Sequence, residues 1–384
     1  MRLFDARMHD PLTATPWHPA HAREVADRIA LDTAAAWAHE GEGALPRPSR
    51  DAATDEADYS FWTGAAGVLW ALGRLGHSVG ERGLLAGYRS CNTASESPGL
   101  MHGEVGVLLV SWKLEPTEEK EERLFHLVGA NARNPSHELF DGSPGTMLAA
   151  LHLYEQTGDD RWRDLWLACA DTLLEQYRSD PEYGCRLWIQ YRRGRLIRSI
   201  GAGHGFASNV HSLLRGAALL GSDRLDELRS AALETAATLA IHEGCLVNWP
   251  TAADQYWAAD FPIRVQWCHG APGIVTSLAE LPRSNEVDEL LDAAGELVWK
   301  AGPLRKAAGL CHGTAGNGCA FLALHARTGD GRWLHRARAF AMHALEQAER
   351  FEPRHSLWTG DIGVALYLRA CLDGWDGMPI LDLL

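Results

Sequence analysis

The chain has 384 residues, 46% of them apolar, and a formal net charge of −14. That balance excludes the basic stripe needed to grip a phosphate backbone, and with it a nucleic-acid partner. No apolar leader core, no apolar run of roughly 18 residues and no Pro/Ser-rich linker interrupts the sequence, so the expectation is one domain over residues 1–384, without a transmembrane segment and cytoplasmic.

Taken in chain order, a short glycine frame recurs ahead of apolar helical runs: Gly64–Gly67, Gly103–Gly106, Gly142–Gly145, Gly270–Gly273, Gly313–Gly316 and Gly360–Gly363, with Gly205–Ser208 a degenerate member. The starts lie 39, 39, 63, 65, 43 and 47 residues apart, room for a helical hairpin in each short interval. Val68, Leu69, Leu72 and Leu75 after the first frame, and Met147, Leu148, Leu151 and Tyr154 after the third, keep helical spacing. Trp162 to Tyr177 and Trp333 to Gln347 each follow a Thr-Gly-Asp turn and predict second helices. In the first long interval, Arg186 to Ile200 reads as two β-prone runs around Arg-Gly, a β-hairpin insertion. Its Arg192, Arg193, Arg195 and Arg198 suit either a solvated hairpin or a clamp for an anionic substrate. Hairpins of this kind stack as a solenoid or close into a ring. Closure is expected, because the last copy, residues 356–374, is as apolar as the middle ones and needs a partner. The fold class is then all-α, a closed ring of inner helices surrounded by outer ones, with every frame at one end.

Glycines at such turns serve backbone geometry first. What geometry leaves unexplained is the polar chemistry beside the frames. WCHGAPG (267–273) and CHGTAGNG (311–318) bring Cys268, Cys311 and His312, two thiols and an imidazole, a set that suits zinc with one position left for water or substrate. A packing role competes, since cysteine is among the most buried residue types. Spacing also leaves His269, beside Cys268, as an alternative ligand to His312. His102 precedes a frame as well and reads as structural. Cys91, Cys169, Cys185, Cys245, Cys319 and Cys371 are assigned to packing or incidental positions, because 8 cysteines are too sparse for a disulfide scaffold. The 15 tryptophans fit a wide helical core or a cleft lining.

With these motifs the chain resembles the lanthionine synthetase C family, the LanC-like proteins, over nearly its whole length. The resemblance implies an α/α toroid of seven inner and seven outer helices with a zinc at its mouth, held by Cys268, Cys311 and His312. It assigns His204, in GAGHGFAS (201–208), as the acid/base and Arg264 as the active-site arginine. His269 is left beside the metal or facing substrate. Where lantibiotic cyclases have an aspartate four residues before the third frame, this chain has Glu138, with Asp141 a nearby decoy. Glu138 and His269 both follow the stand-alone LanC-like branch. Ser208 departs from the family's second glycine and puts the loop shape beside His204 in question.

The activity implied is Michael addition of a thiol, glutathione or a peptide cysteine, to dehydroalanine or dehydrobutyrine, giving a thioether. A thiol with pKa ~8.5 is mostly protonated at neutral pH, so zinc would hold it as thiolate, Arg264 would meet the enolate, His204 would protonate the α-carbon and Glu138 would orient His204. The expected partners are a dehydrated peptide or protein segment and a thiol donor. The alternatives are a non-catalytic zinc- and glutathione-binding protein and a lantibiotic-type cyclase, which would need a separate dehydratase. A glycosidase toroid would need paired carboxylates instead.

Overall fold

Each inner helix starts where a glycine lets the chain double back on itself. A Cβ on Gly316 would stand 1.6 Å from the Leu310 carbonyl oxygen, and one on Gly106 1.9 Å from that of Leu100, so only hydrogen fits at the second position of these frames. The fold-back gives the first helical amide a partner: Ala65 N–H donates to Asp58 (3.0 Å), Thr314 N–H to Ala307 (3.1 Å) and Asp361 N–H to Arg354 (2.9 Å). These are amides that a helix cannot satisfy internally.

The computed structural model describes residues 2–39, 58–77, 80–81, 83–90, 98–192, 194–255, 263–375 and 377–384; Cys91 and Arg193 lie outside the described residues. Its helices in chain order are α1 (Pro19–His39), α2 (Ala65–Arg74), α3 (Leu84–Ser90), α4 (Glu104–Leu114), α5 (Glu118–Asn131), α6 (Ser143–Thr157), α7 (Asp160–Glu175), α8 (Phe206–Arg215), α9 (Ser222–Thr238), α10 (Ala271–Leu278), α11 (Asn285–Ala301), α12 (Thr314–Thr328), α13 (Gly331–Arg350) and α14 (Asp361–Asp373). The even-numbered helices follow the frames and touch in sequence, α2 to α4 and so on to α14, which returns to α2. The ring is closed, as expected. The odd-numbered helices form the outer layer, and α1 lies against α14, so the last inner helix is covered by an outer helix from the start of the chain. No helix among the described residues is long and apolar enough to cross a membrane.

The expected hairpin across 186–200 divides differently. Strands β1 (Arg178–Asp180) and β2 (Cys185–Leu187) form one hairpin, and β3 (Gln190–Arg192) and β4 (Arg195–Ile197) a second. Trp188 separates them: it is buried, stacks on Tyr177 at 3.9 Å and donates its indole N–H to Leu173 O at 2.8 Å. The second long interval holds a hairpin the sequence reading did not find, β5 (Ile241–Glu243) with β6 (Leu246–Asn248).

Tryptophan goes mainly to the core, where Trp162, Trp166, Trp188, Trp249, Trp267, Trp333 and Trp358 are fully buried. Cys169, Cys185, Cys319 and Cys371 are buried as expected, and Cys245 is exposed. At the C-terminal ends of the inner helices, residues 378–384 fold back onto α6 and α8. Ile380 O accepts from His152 Nε2 at 2.7 Å, and Asp382 lies 2.9 Å from His211 Nε2 and 3.5 Å from Arg215 Nε.

Candidate active site

The floor of the site is a belt of backbone amides. Two residues before each frame stand Trp62, Met101, Phe140, Gly203, Cys268, Cys311 and Trp358. Trp62 N–H donates to Met101 O (3.0 Å), Met101 to Phe140 (3.1 Å), Gly203 to Cys268 (3.2 Å), Cys268 to Cys311 (3.1 Å), Cys311 to Trp358 (2.8 Å) and Trp358 to Trp62 (3.4 Å). The step from Phe140 to Gly203 is missing, and Phe140 N–H donates instead to the Glu138 carboxylate at 3.1 Å. The break falls at the copy that carries Ser208, whose Gly205 is extended with φ −168° and ψ −143°, while among the frame glycines Gly270 takes the left-handed φ of +107°. One residue further on, Thr63, His102, Asp141, His204, His269, His312 and Thr359 form the rim.

Cys268, Cys311 and His312 converge so that one ligand atom from each lies within 4.8 Å of the others. Both cysteines are buried and His312 is half-buried. The Cys311 thiol, hydrogen-bonded to the Cys268 sulfur, holds Cys268 well below the ordinary thiol value, while burial and that same sulfur push Cys311 up. Two such sulfurs can both be thiolates only around a cation, so the donor set fits a soft or borderline divalent metal. Gln266 Nε2 donates to Cys268 Sγ at 3.0 Å, and Lys306 Nζ donates to Gln266 Oε1 at 2.9 Å. His269 is not part of the cluster. Burial lowers its pKa to about 4, helped by the charges of His204, Arg264 and Arg192, which leaves a neutral imidazole on the rim.

His204 stands beside this cluster, its ring centroid 6.0 Å from that of His269. Its Nδ1 is 2.7 Å from Glu138 Oε2. Glu138 is fully buried and also accepts from the amides of Phe140 (3.1 Å) and Asp141 (2.7 Å). A carboxylate so held can only accept, so Nδ1 carries the proton that it receives and Nε2 is left for the cavity. Asn209 Nδ2 donates to His137 O at 2.9 Å and ties α8 to the Glu138 loop. Asp141 lies elsewhere on the rim, 3.5 Å from His102. His102, read from sequence as structural, lines the cavity with Phe140, 4.9 Å between rings, and Trp62.

The cavity above the belt has a volume of about 700 Å³ and contains the proposed metal ligands, His204, His269 and Arg264 in one space. Arg264 is exposed there. Of the hairpin arginines, Arg192 lines the cavity, whereas Arg198 is spent on Asp180 (2.5 Å) and Asp254 (3.0 Å). Lining residues that sequence reasoning missed include Gln266, Lys306, Asp5 and His9. Gln266 and Lys306 sit two and five residues before the cysteines and were findable by proximity. Asp5 and His9 arrive through tertiary packing alone: the N-terminal segment is pinned by Asn248 Nδ2 to Leu3 O (2.7 Å) and by His9 Nδ1 at Gly302 O (2.8 Å).

The profile of the family described as "Lanthionine synthetase C-like protein" matches residues 196–376. A stretch of 171 residues, 44% of this chain, is 33% identical to "Glutathione S-transferase LANCL1" of Danio rerio. Another of 88 residues, 22% of the chain, is 43% identical to "LanC-like protein GCL1" of Arabidopsis thaliana. The matched stretches span only 39% and 20% of those relatives' lengths. Among solved structures, "Nisin cyclase" superposes with a TM-score of 0.66 over 94% of this chain and 96% of that one, at 14% identity, a likeness of fold.

Proposed function

We propose that the chain, whose residues 196–376 match the lanthionine synthetase C-like family, acts as a member of that family and adds a free thiol, glutathione or a similar donor, to dehydroalanine or dehydrobutyrine residues of a peptide or protein segment. The observation that carries this reading is the single cavity shared by the Cys268–Cys311–His312 cluster and the Glu138-oriented His204.

A zinc ion on those three donors would hold the incoming thiol as thiolate at neutral pH. Gln266, anchored by Lys306, donates to Cys268 and fixes the orientation of that sulfur. The S–C bond forms at the β-carbon of the acceptor as its π pair moves toward the carbonyl oxygen. Arg264, exposed in the same cavity, offers the donors that an enolate needs. His204 then delivers a proton from Nε2 to the α-carbon, while Glu138 keeps Nδ1 protonated and stabilises the ring in either state. The proton lost by the thiol balances the one gained at carbon, so no other reactant is required.

Two features favour a free thiol over a cysteine in the same peptide: Glu138 and His269 follow the stand-alone branch of the family, and the relative matched over 171 residues is named a glutathione S-transferase. The fold of nisin cyclase keeps the ring-forming reading as the rival, and that reading requires a separate dehydratase. Mass spectrometry separates them. Given a dehydrated peptide containing its own cysteine and excess glutathione, the protein is expected to yield mainly the glutathione adduct; clean ring closure without adduct would restore the cyclase reading.

A further inference from the structure

The mouth carries the opposite charge to the molecule. The chain has a net charge of −14, yet among the described residues the cavity is lined by Arg192, Arg264 and Lys306 against one carboxylate, Asp5. Asp5 is already held by Arg7 at 2.7 Å, and Lys306 is engaged by Gln266. Arg192 and Arg264 make no ion pair or hydrogen bond through their guanidinium groups among the described residues. Within one hairpin Arg198 is neutralised by two carboxylates, while Arg192, on β3, has no carboxylate partner among the described residues. The strand is fixed in place, with Tyr191 N–H donating to Pro135 O at 2.9 Å. A guanidinium left without a carboxylate in a concavity attracts an anion, and its planar fork suits the two oxygens of a carboxylate or phosphate.

The placement of Arg192 says whose anion it is. Tyr191, next to Arg192, is tied to Pro135 at the start of the loop that carries Glu138, the partner of His204, and Arg192 and His204 line the same cavity. Arg192 therefore belongs to the proton-donor side, toward the acceptor's α-carbon, whereas Lys306 is tied through Gln266 to the Cys268 sulfur. We propose that Arg192, with Arg264 kept for the enolate, is a subsite for an anionic side chain, carboxylate or phosphate, neighbouring the dehydro residue of the acceptor, so that acidic or phosphorylated segments are the preferred substrates. This rests on the thiol-addition reading of the cavity.

The test uses dehydroalanine peptides identical except for a flanking Glu, phosphoserine, Gln or Lys, with saturating glutathione, and fluorescent analogues carrying Ala at the reacting position for direct binding by anisotropy. Wild type is expected to favour Glu and phosphoserine over Gln by about tenfold or more in kcat/KM and in Kd, and to lose the preference as salt rises. Arg192→Ala should abolish the preference while leaving the KM for glutathione unchanged, and Arg192→Glu should turn it toward Lys. A response to phosphoserine alone would name phosphate as the anion; a response to both names the shared oxyanion chemistry. Equal binding of all the analogues would overturn the subsite. So would a raised glutathione KM in Arg192→Ala, which would give the anion to the donor. A binding preference without turnover of any peptide would keep the subsite and remove the thiol-addition reading instead.

Discussion

Cys311→Ala is expected to lose the metal and keep the fold, because Cys311 contributes to the belt through its backbone and only its sulfur to the cluster. Metal analysis beside circular dichroism checks both halves: retained zinc would remove Cys311 from the ligands, and unfolding would make the metal structural. His204→Ala should keep the metal and slow thiol addition by ~10²–10⁴-fold, the usual worth of a positioned acid or base; equal rates on a dehydroalanine peptide would reduce His204 to a turn residue. At this scale the sequence was legible where chemistry repeats beside the frames, as at Cys268, Cys311, His312 and His204. Glu138 was reached through family resemblance, not through its spacing. Its place follows from something no local pattern encodes, the missing belt step that frees the Phe140 amide for its carboxylate. Gln266, Lys306, Asp5 and His9 have ordinary neighbours in sequence and become site residues only by packing.

The frames are the element most exposed to mutation. Gly316→Ala would place a methyl 1.6 Å from a backbone oxygen that cannot swing away, and it should cost roughly 3 kcal/mol or more of stability, at the upper end for an overpacked position, measured by urea unfolding. Gly331→Ala, where an added Cβ meets nothing within 4 Å, should be near neutral. The segment 378–384 supplies a pH test. Desolvation lowers the proton affinity of His211, but the Asp382 charge outweighs it and the net shift is upward; His211 and Arg215 in turn hold Asp382 below its usual value despite burial. The His211 contribution is complete below its unfolded pKa of about 6.5 and is lost as pH rises through the higher folded value. The Asp382 contribution is complete above about 4 and is lost as pH falls through the lower folded value. Asp382→Asn should therefore destabilise by about 2 kcal/mol near pH 5–6 and by less at pH 9; a pH-independent difference would contradict the pairing. Helix starts were legible because glycine geometry fixes them. The hairpins were not, because buried Trp188 splits a run whose β-propensity is continuous.

Closure of the whole ring was legible in the apolar last copy, and what the sequence did not disclose is how the circle is sealed. The hydrogen bond from Trp358 N–H to Trp62 O and the packing of α1 on α14 join parts of the chain some 300 residues apart. Since the belt links copies on both sides of that seam, denaturant unfolding followed by circular dichroism and by metal release is expected to give one shared transition; separate transitions would divide the chain into independent units. The common orientation of the inner helices has its own electrical result. All seven begin at the mouth behind a glycine N-cap that supplies no side-chain oxygen, and only α4 and α14 carry a carboxylate, Glu104 and Asp361, in the first turn. Each start presents a partial charge of roughly +0.5, so a circle of like poles surrounds the place where sulfur and enolate turn negative. The opposite poles meet Arg74, Lys113 and Arg215 in last turns at the far end. An acidic protein thus keeps a lasting voltage drop along its own axis, one that pulls anions toward the mouth and that substitution of no single side chain can abolish.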